Sequence, residues 1–297
     1  MARFTRALAP LVILGALATA GCAGGDDSVA EGTSDDPIKL GVVGASDPYW
    51  ALYETAVEDA GIDLEIVDFS DYALLNPALS DGELDINQFQ HIQYLADYNV
   101  HNDDDLQPIG ATAIYPLGLY STQYDSVDAI PDGATVVVPN DTVNQARGLL
   151  VLQSAGLISL KDGGNATSTL QDIEDGSRVE VQALQADLTV TSLSDAAAAI
   201  VNNDFLDSAG LEGGDALFAD DPSDPSALPY VNVFAVRSAD VDNETLNQLV
   251  DIYQSTQDVL DAVQEQSGGT AVFSTTPRED LQASLEETEK AISELDK

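Results

Sequence analysis

The sequence predicts a globular α/β protein with mainly parallel strands. From Ile38 onward, short apolar runs of strand length alternate with segments patterned as helices, which is what α/β layering produces. Apolar residues make up 44% of the 297 residues, enough to build a core instead of a disordered chain. Length alone allows one large domain or two lobes. Polar residues follow a strand-like run and open a helix-like one at Ile86–His91, at Val138–Asn144 and, less clearly, at Ile200–Asn203. In open α/β sheets, ligands bind at such junctions, beyond the carboxyl ends of the strands.

In chain order, Met1 to Cys22 comes first. Arg3 and Arg6 precede an apolar run from Leu11 to Ala20 and then Gly21-Cys22. This is the layout of a secretory signal, and the run is shorter than the ~20 residues of a spanning helix. Cys22 is the only cysteine, so a disulfide framework is excluded. Following small residues, it resembles a bacterial lipobox, where a diacylglycerol is attached to the cysteine and cleavage falls before it. Thr19 departs from the usual Leu or Val of that motif. Residues 23–37, rich in Gly, Ser and Asp, read as a flexible tether.

In the body, strands are expected at Lys39–Val43, Leu64–Phe69, Leu84–Asn87, Ala113–Tyr120, Thr135–Val138, Val179–Ala183 and Val231–Val236. Helices are expected at Tyr49–Ala60, Asn144–Ala155 and Leu246–Gln264. At the end, Thr276-Pro277-Arg278-Glu279 supplies an N-cap, a proline at the first helical position and a capping-box glutamate. The helix that follows, to Lys297, has a weak apolar stripe and is expected to be exposed or loosely docked.

Charge narrows the function. Ten Lys and Arg stand against 52 Asp and Glu, so nothing could neutralise a phosphate backbone, and nucleic acid is not an expected partner. After Cys22 only eight basic residues remain, and self-repulsion among the acids suggests a salt-rich habitat. One of the eight is Arg147. It lies three residues after Asn144, on the same face of the first turns of a helix. There it can fork onto a ligand carboxylate or pair with one of the many acids. His91 sits in NQFQHIQYL (Asn87–Leu95), beside Phe89 and Tyr94, and can belong to a ligand site, a structural contact or a metal site. A metal site would need a second His or a Cys at ligand spacing, and His101 lies in an acidic loop. No metal or cofactor is expected. Neither G-x-S-x-G nor H-E-x-x-H occurs, and the protein is not expected to be an enzyme.

Four blocks carry a resemblance: Asp71–Leu95, Ala113–Ser121, Val138–Gly163 and Pro229–Arg237. Together they resemble the methionine-binding lipoproteins of bacterial ABC importers, the MetQ/NlpA family, from about Ile38 to about Val272. The resemblance implies a two-lobed periplasmic-binding-protein-like fold of type II topology, with a ligand cleft between lobes that close by hinge motion. Lobe one would comprise 38–117 and 232–275, lobe two 118–231, and 276–297 would be an added C-terminal helix. The chain would cross near Tyr115–Tyr120 and return near Tyr230–Val233. Tyr72, Phe89, His91 and Tyr94 would surround the thioether of a bound methionine. Arg147 would take its carboxylate, with Asn144, Asn202 and Asn232 bonding the polar end. The partners implied are methionine, an ABC permease and ATPase, and the membrane, through a lipid anchor on its extracytoplasmic face. Asp195–Asn203 (DAAAAIVNN) reads as helix by propensity but as strand by the resemblance, which leaves Asn202 and Asn203 both open as site residues. The ligand expected first is L-methionine; the alternatives are D-methionine or another small amino acid on the same scaffold, or a surface or sensing protein that does not transport.

Overall fold

A computed structural model describes residues 29–295, apart from the side chains of Pro225 and Ser226. The signal segment, Cys22 and the first part of the tether lie outside the described residues.

The first sheet has the order β2-β1-β3-β11-β4. Its strands are β1 (Ile38–Val43), β2 (Leu64–Phe69), β3 (Ile86–His91), β4 (Gln107–Ala111) and β11 (Asn232–Val236). β1 runs parallel to β2 and β3, while β11 is antiparallel to β3 and β4. The second sheet has the order β10-β6-β9-β7-β8. It contains β6 (Gly118–Tyr120), β7 (Thr135–Pro139), β8 (Glu180–Leu184), β9 (Ala198–Val201) and β10 (Phe218–Ala219). β7 is parallel to β8 and β9, and β6 is antiparallel to β9 and β10. Each sheet therefore has three parallel strands with the first in the centre, then one inserted antiparallel strand, then an outer strand. The inserted strands, β6 and β11, lie at the two places where the chain passes between sheets. This is type II topology in a two-lobed α/β protein.

Helices α1 (Pro48–Asp59), α6 (Glu244–Ser255) and α7 (Gln257–Gln266) cover one face of the first sheet around Trp50, Tyr53, Phe234 and Tyr253. On its other face lie α2 (Leu75–Ser80), α3 (Ile92–Asn102) and α8 (Arg278–Leu295). α4 (Thr142–Ser154) and α5 (Ala186–Thr191) flank the second sheet, and a short pair, β5 (Ala113–Ile114) with β12 (Val272–Phe273), sits beside the first crossing. A further apolar cluster joins the lobes, bringing Val43, Leu75 and Phe89 of the first against Val137, Val190 and Phe205 of the second.

Several expectations need correction. The strand expected at Leu84–Asn87 continues to His91 and is buried on both faces. Its amides are tolerated there because Asn76, Asn87 and Gln90 satisfy one another through hydrogen bonds of 2.7–3.0 Å, as buried polar groups require. The strand expected at Ala113–Tyr120 is split at Tyr115-Pro116-Leu117, where the chain crosses between lobes. The helix expected at Leu246–Gln264 is two helices, broken at Thr256, whose ψ of 102° is extended. The alanine run is strand β9 and not helix: pairing with β6 and β7 in a fully buried strand outweighs propensity.

The tether is not free from Val29 onward. Ala30 N–H donates to Asp85 at 3.0 Å, Asp63 N–H donates to the Gly32 carbonyl at 2.9 Å, and Thr33 bridges Asp36. The C-terminal helix is not loosely docked either. Leu281, Leu285 and Ile292 are buried in the same cluster as Ile92, Leu95 and Leu106. Arg278 anchors its start by donating to the Val241 carbonyl at 2.8 Å and pairing with Asp242. A single narrow stripe suffices because α8 meets the lobe along one side only.

Candidate functional site

Tyr72, Phe89, His91, Tyr94, Asn144, Arg147, Asn202 and Asn232 all line one cavity between the lobes. The fold brings them together because each lies at, or just beyond, the cleft end of a strand. Tyr72 opens the turn after β2, Phe89 and His91 end β3, and Tyr94 lies in the first turn of α3. Asn144 and Arg147 lie in the first turns of α4, Asn202 follows β9, and Asn232 begins β11 opposite His91.

One end of the cavity is aromatic. The centroids of Tyr72, Phe89 and Tyr94 lie 5.7–6.1 Å apart, and Phe205 closes on Tyr72 from the other lobe at 5.2 Å. These are tilted and edge-on arrangements, the ones aromatic quadrupoles favour.

The other end is polar. His91 caps α3: its Nδ1 accepts the Tyr94 N–H at 3.2 Å, so in the neutral ring Nε2 carries the proton. Burial, and then the nearby Arg147 charge, lower its pKa from 6.5 to about 3, which keeps it neutral. Nε2 is buried without a hydrogen-bond partner and is therefore a free donor. Asp141 caps α4, its Oδ1 accepting the Asn144 backbone N–H at 2.8 Å and the Asn144 side chain at 3.0 Å. Asn202 donates to Asn144 Oδ1 at 3.1 Å, leaving its own Oδ1 buried and unpartnered. Asn203 also lines the cavity, but Asn202 is the one with the stranded acceptor.

Arg147 is 6% exposed, and of its two expected uses the structure shows the pairing with an acid. Nε and Nη2 fork onto Asp220 at 2.7 and 3.1 Å, and Nη2 also donates to the Tyr115 carbonyl at 2.9 Å. The Tyr230 ring lies under the guanidinium at 4.3 Å. Nη1 meets no protein acceptor among the described residues. Asp220 also accepts the Leu117 N–H at 2.8 Å. Arg147 is thereby tied to both stretches of chain that cross between the lobes.

The sequence reading missed several cavity residues. Tyr115 and Leu117 belong to the crossing, and Asp204 lies just past the third junction, so extending that junction by one residue would have found it. Asp220 is 73 positions from Arg147, and no local pattern marks it. Tyr72 OH donates to Asp204 at 2.6 Å and Gln185 to Asp71 at 2.9 Å, so the two lobes touch across the cleft. Among the described residues no group of three His, Cys, Asp or Glu side chains is arranged to hold a metal.

The NlpA lipoprotein family model matches residues 38–274. The D-methionine-binding lipoprotein MetQ of Salmonella typhimurium is 37% identical over 268 residues, covering 88% of this chain and 94% of that protein. Protein PG110 from Staphylococcus aureus superposes with a TM-score of 0.79 at 33% identity, over 84% of this chain and 99% of that one. A nutrient-binding protein from Burkholderia cenocepacia, solved bound to methionine, gives 0.73 at 34% identity, over 80% and 99%.

Proposed function

Because the chain belongs to the NlpA lipoprotein family, we propose that it is the substrate-binding lipoprotein of an ABC importer and that it binds methionine. The observation that carries this reading is the pairing, in one interlobe cavity, of an aromatic cage with a guanidinium that has a donor to spare.

The two ends of the cavity suit the two ends of methionine. A thioether gains ~0.3–1.5 kcal/mol against aromatic edges, and burying the side chain adds roughly 1.5–3 kcal/mol. Tyr72, Phe89 and Tyr94 would supply that surface, with His91 at its polar margin. Arg147 Nη1 and His91 Nε2–H would meet the carboxylate, and Asn144, Asn202 and Asn232 would complete the hydrogen bonds. With the lobes divided at 38–117, 118–231 and 232–275, the site opens and closes by movement about the crossings at Tyr115–Leu117 and Tyr230–Val231. The protein would hand methionine to a permease driven by an ATPase. A lipid on Cys22 would hold it at the extracytoplasmic face of the membrane. Its role is binding, not catalysis.

Calorimetry on protein stripped of ligand by unfolding and refolding tests this, with L-methionine, D-methionine and alanine as titrants. Saturable binding of a methionine, and none of alanine at equal concentration, is expected. Absence of methionine binding at millimolar concentration overturns the reading.

A further inference from the structure

We propose that Asp204 recognises the ligand's ammonium group, making this a site that selects free α-amino acids over thioether acids lacking the amine. The inference rests on the methionine reading above. The positive charge at the cavity, Arg147, is already balanced by the two-pronged pair with Asp220. Asp204 lines the same cavity, and among the described residues no Lys, Arg or His forms an ion pair with it. Its one protein hydrogen bond comes from the Tyr72 hydroxyl, to Oδ2, and Oδ1 is left without a donor. Asp204 is half-buried, and a carboxylate partly withdrawn from water with no cation is costly, a cost that a ligand ammonium removes.

The unpartnered atoms also fix the direction of the ligand. On the side of α3 and α4 the free groups are donors, His91 Nε2–H and Arg147 Nη1, which suit a carboxylate. On the segment 202–204 they are acceptors, the buried Asn202 Oδ1 and the Asp204 carboxylate, which suit an ammonium. Beyond Asp204, Asp47 approaches from the other lobe at the start of α1. Burial, and then repulsion from Asp204, Asp207 and Asp68, hold its carboxyl well above the usual carboxylate range. This end of the cleft is short of one positive charge.

Asp204 belongs to the second lobe and its Tyr72 partner to the first, so amine recognition and lobe contact share one side chain. The test separates them. Calorimetry compares L-methionine with 4-(methylthio)butanoate, the same molecule without its amine, on the wild type, Asp204→Asn and Tyr72→Phe. A hydrogen bond to a charged group contributes enough that its loss weakens binding by about 10- to 100-fold. Asp204→Asn is expected to lower methionine affinity by at least about tenfold and to leave the butanoate within about threefold, so the ratio collapses. Tyr72→Phe keeps the carboxylate, so affinity for both should fall together and the ratio persist. A ratio unchanged in Asp204→Asn, or lost equally in Tyr72→Phe, overturns the proposal while the methionine reading stands. A wild type that binds no methionine overturns that reading, and this inference with it. Asp204→Ser gives the same readout should the amide variant misfold.

Discussion

Replacing Asp47 by asparagine should stabilise the protein by an amount that grows from about pH 4 and is complete above pH 7. Asp47 precedes α1, is 8% exposed, and its side chain caps no helical N–H. Burial, with smaller contributions from Asp204, Asp207 and Asp68, raises its carboxyl from 3.8 to about 7. Between those values the folded protein holds a proton that the unfolded chain has released. Stability therefore falls as pH rises through that window, and the full cost is present above pH 7. A shift of about three pH units, at about 1.4 kcal/mol per unit, sets an upper figure of roughly 4 kcal/mol. Relaxation and screening should reduce the gain on neutralising the group to about 2–4 kcal/mol. Asparagine keeps the shape and the acceptor for Gln266, which donates to Oδ1 at 3.3 Å. Urea unfolding of ligand-free protein at pH 8 should show a higher midpoint at unchanged slope, and at pH 4 the two proteins should nearly coincide. Equal or lower stability of Asp47→Asn at pH 8 would refute the reasoning.

Three further outcomes are expected. Arg147→Ala should weaken methionine binding by about two to four decades, the roughly 3–5 kcal/mol of breaking a buried charge pair; a calorimetric change below tenfold would assign Arg147 to structure alone. Leu281→Ala, at a residue of α8 that is 0% exposed, should cost about 2–5 kcal/mol in urea unfolding, whereas a loosely docked helix would show almost no loss. Thermal melts should rise from 0.1 to 2 M KCl, because the Debye length shortens from about 10 Å at 0.1 M to about 3 Å at 1 M; a flat or falling series, with sucrose as control, removes the salt-adaptation reading.

What was legible in the sequence is what leaves a local mark. Strands β1, β2, β3, β7 and β8 showed as apolar runs, and the strand-to-helix junctions gave the places of Phe89, His91, Asn144 and Arg147. The site's polarity was half legible. Arg147 stood out as one of few cations, but its fork onto Asp220 joins positions 73 apart and depends on the chain's two crossings. The alanine run misleads on propensity because its strand character comes from its neighbours β6 and β7. Backbone hydrogen bonds such as Asp63 to Gly32 fasten the end of the tether, and composition carries no trace of them. The narrow stripe of α8 looked weak because its strength depends on what lies opposite it.

The central claim, a methionine held between an aromatic cage and Arg147, is tested most directly by purifying the protein from its native host without added ligand, denaturing it, and identifying what is released by mass spectrometry. Methionine at close to one molecule per protein is the predicted result. A different compound in that amount, or methionine released equally from Arg147→Ala prepared alongside, would contradict it.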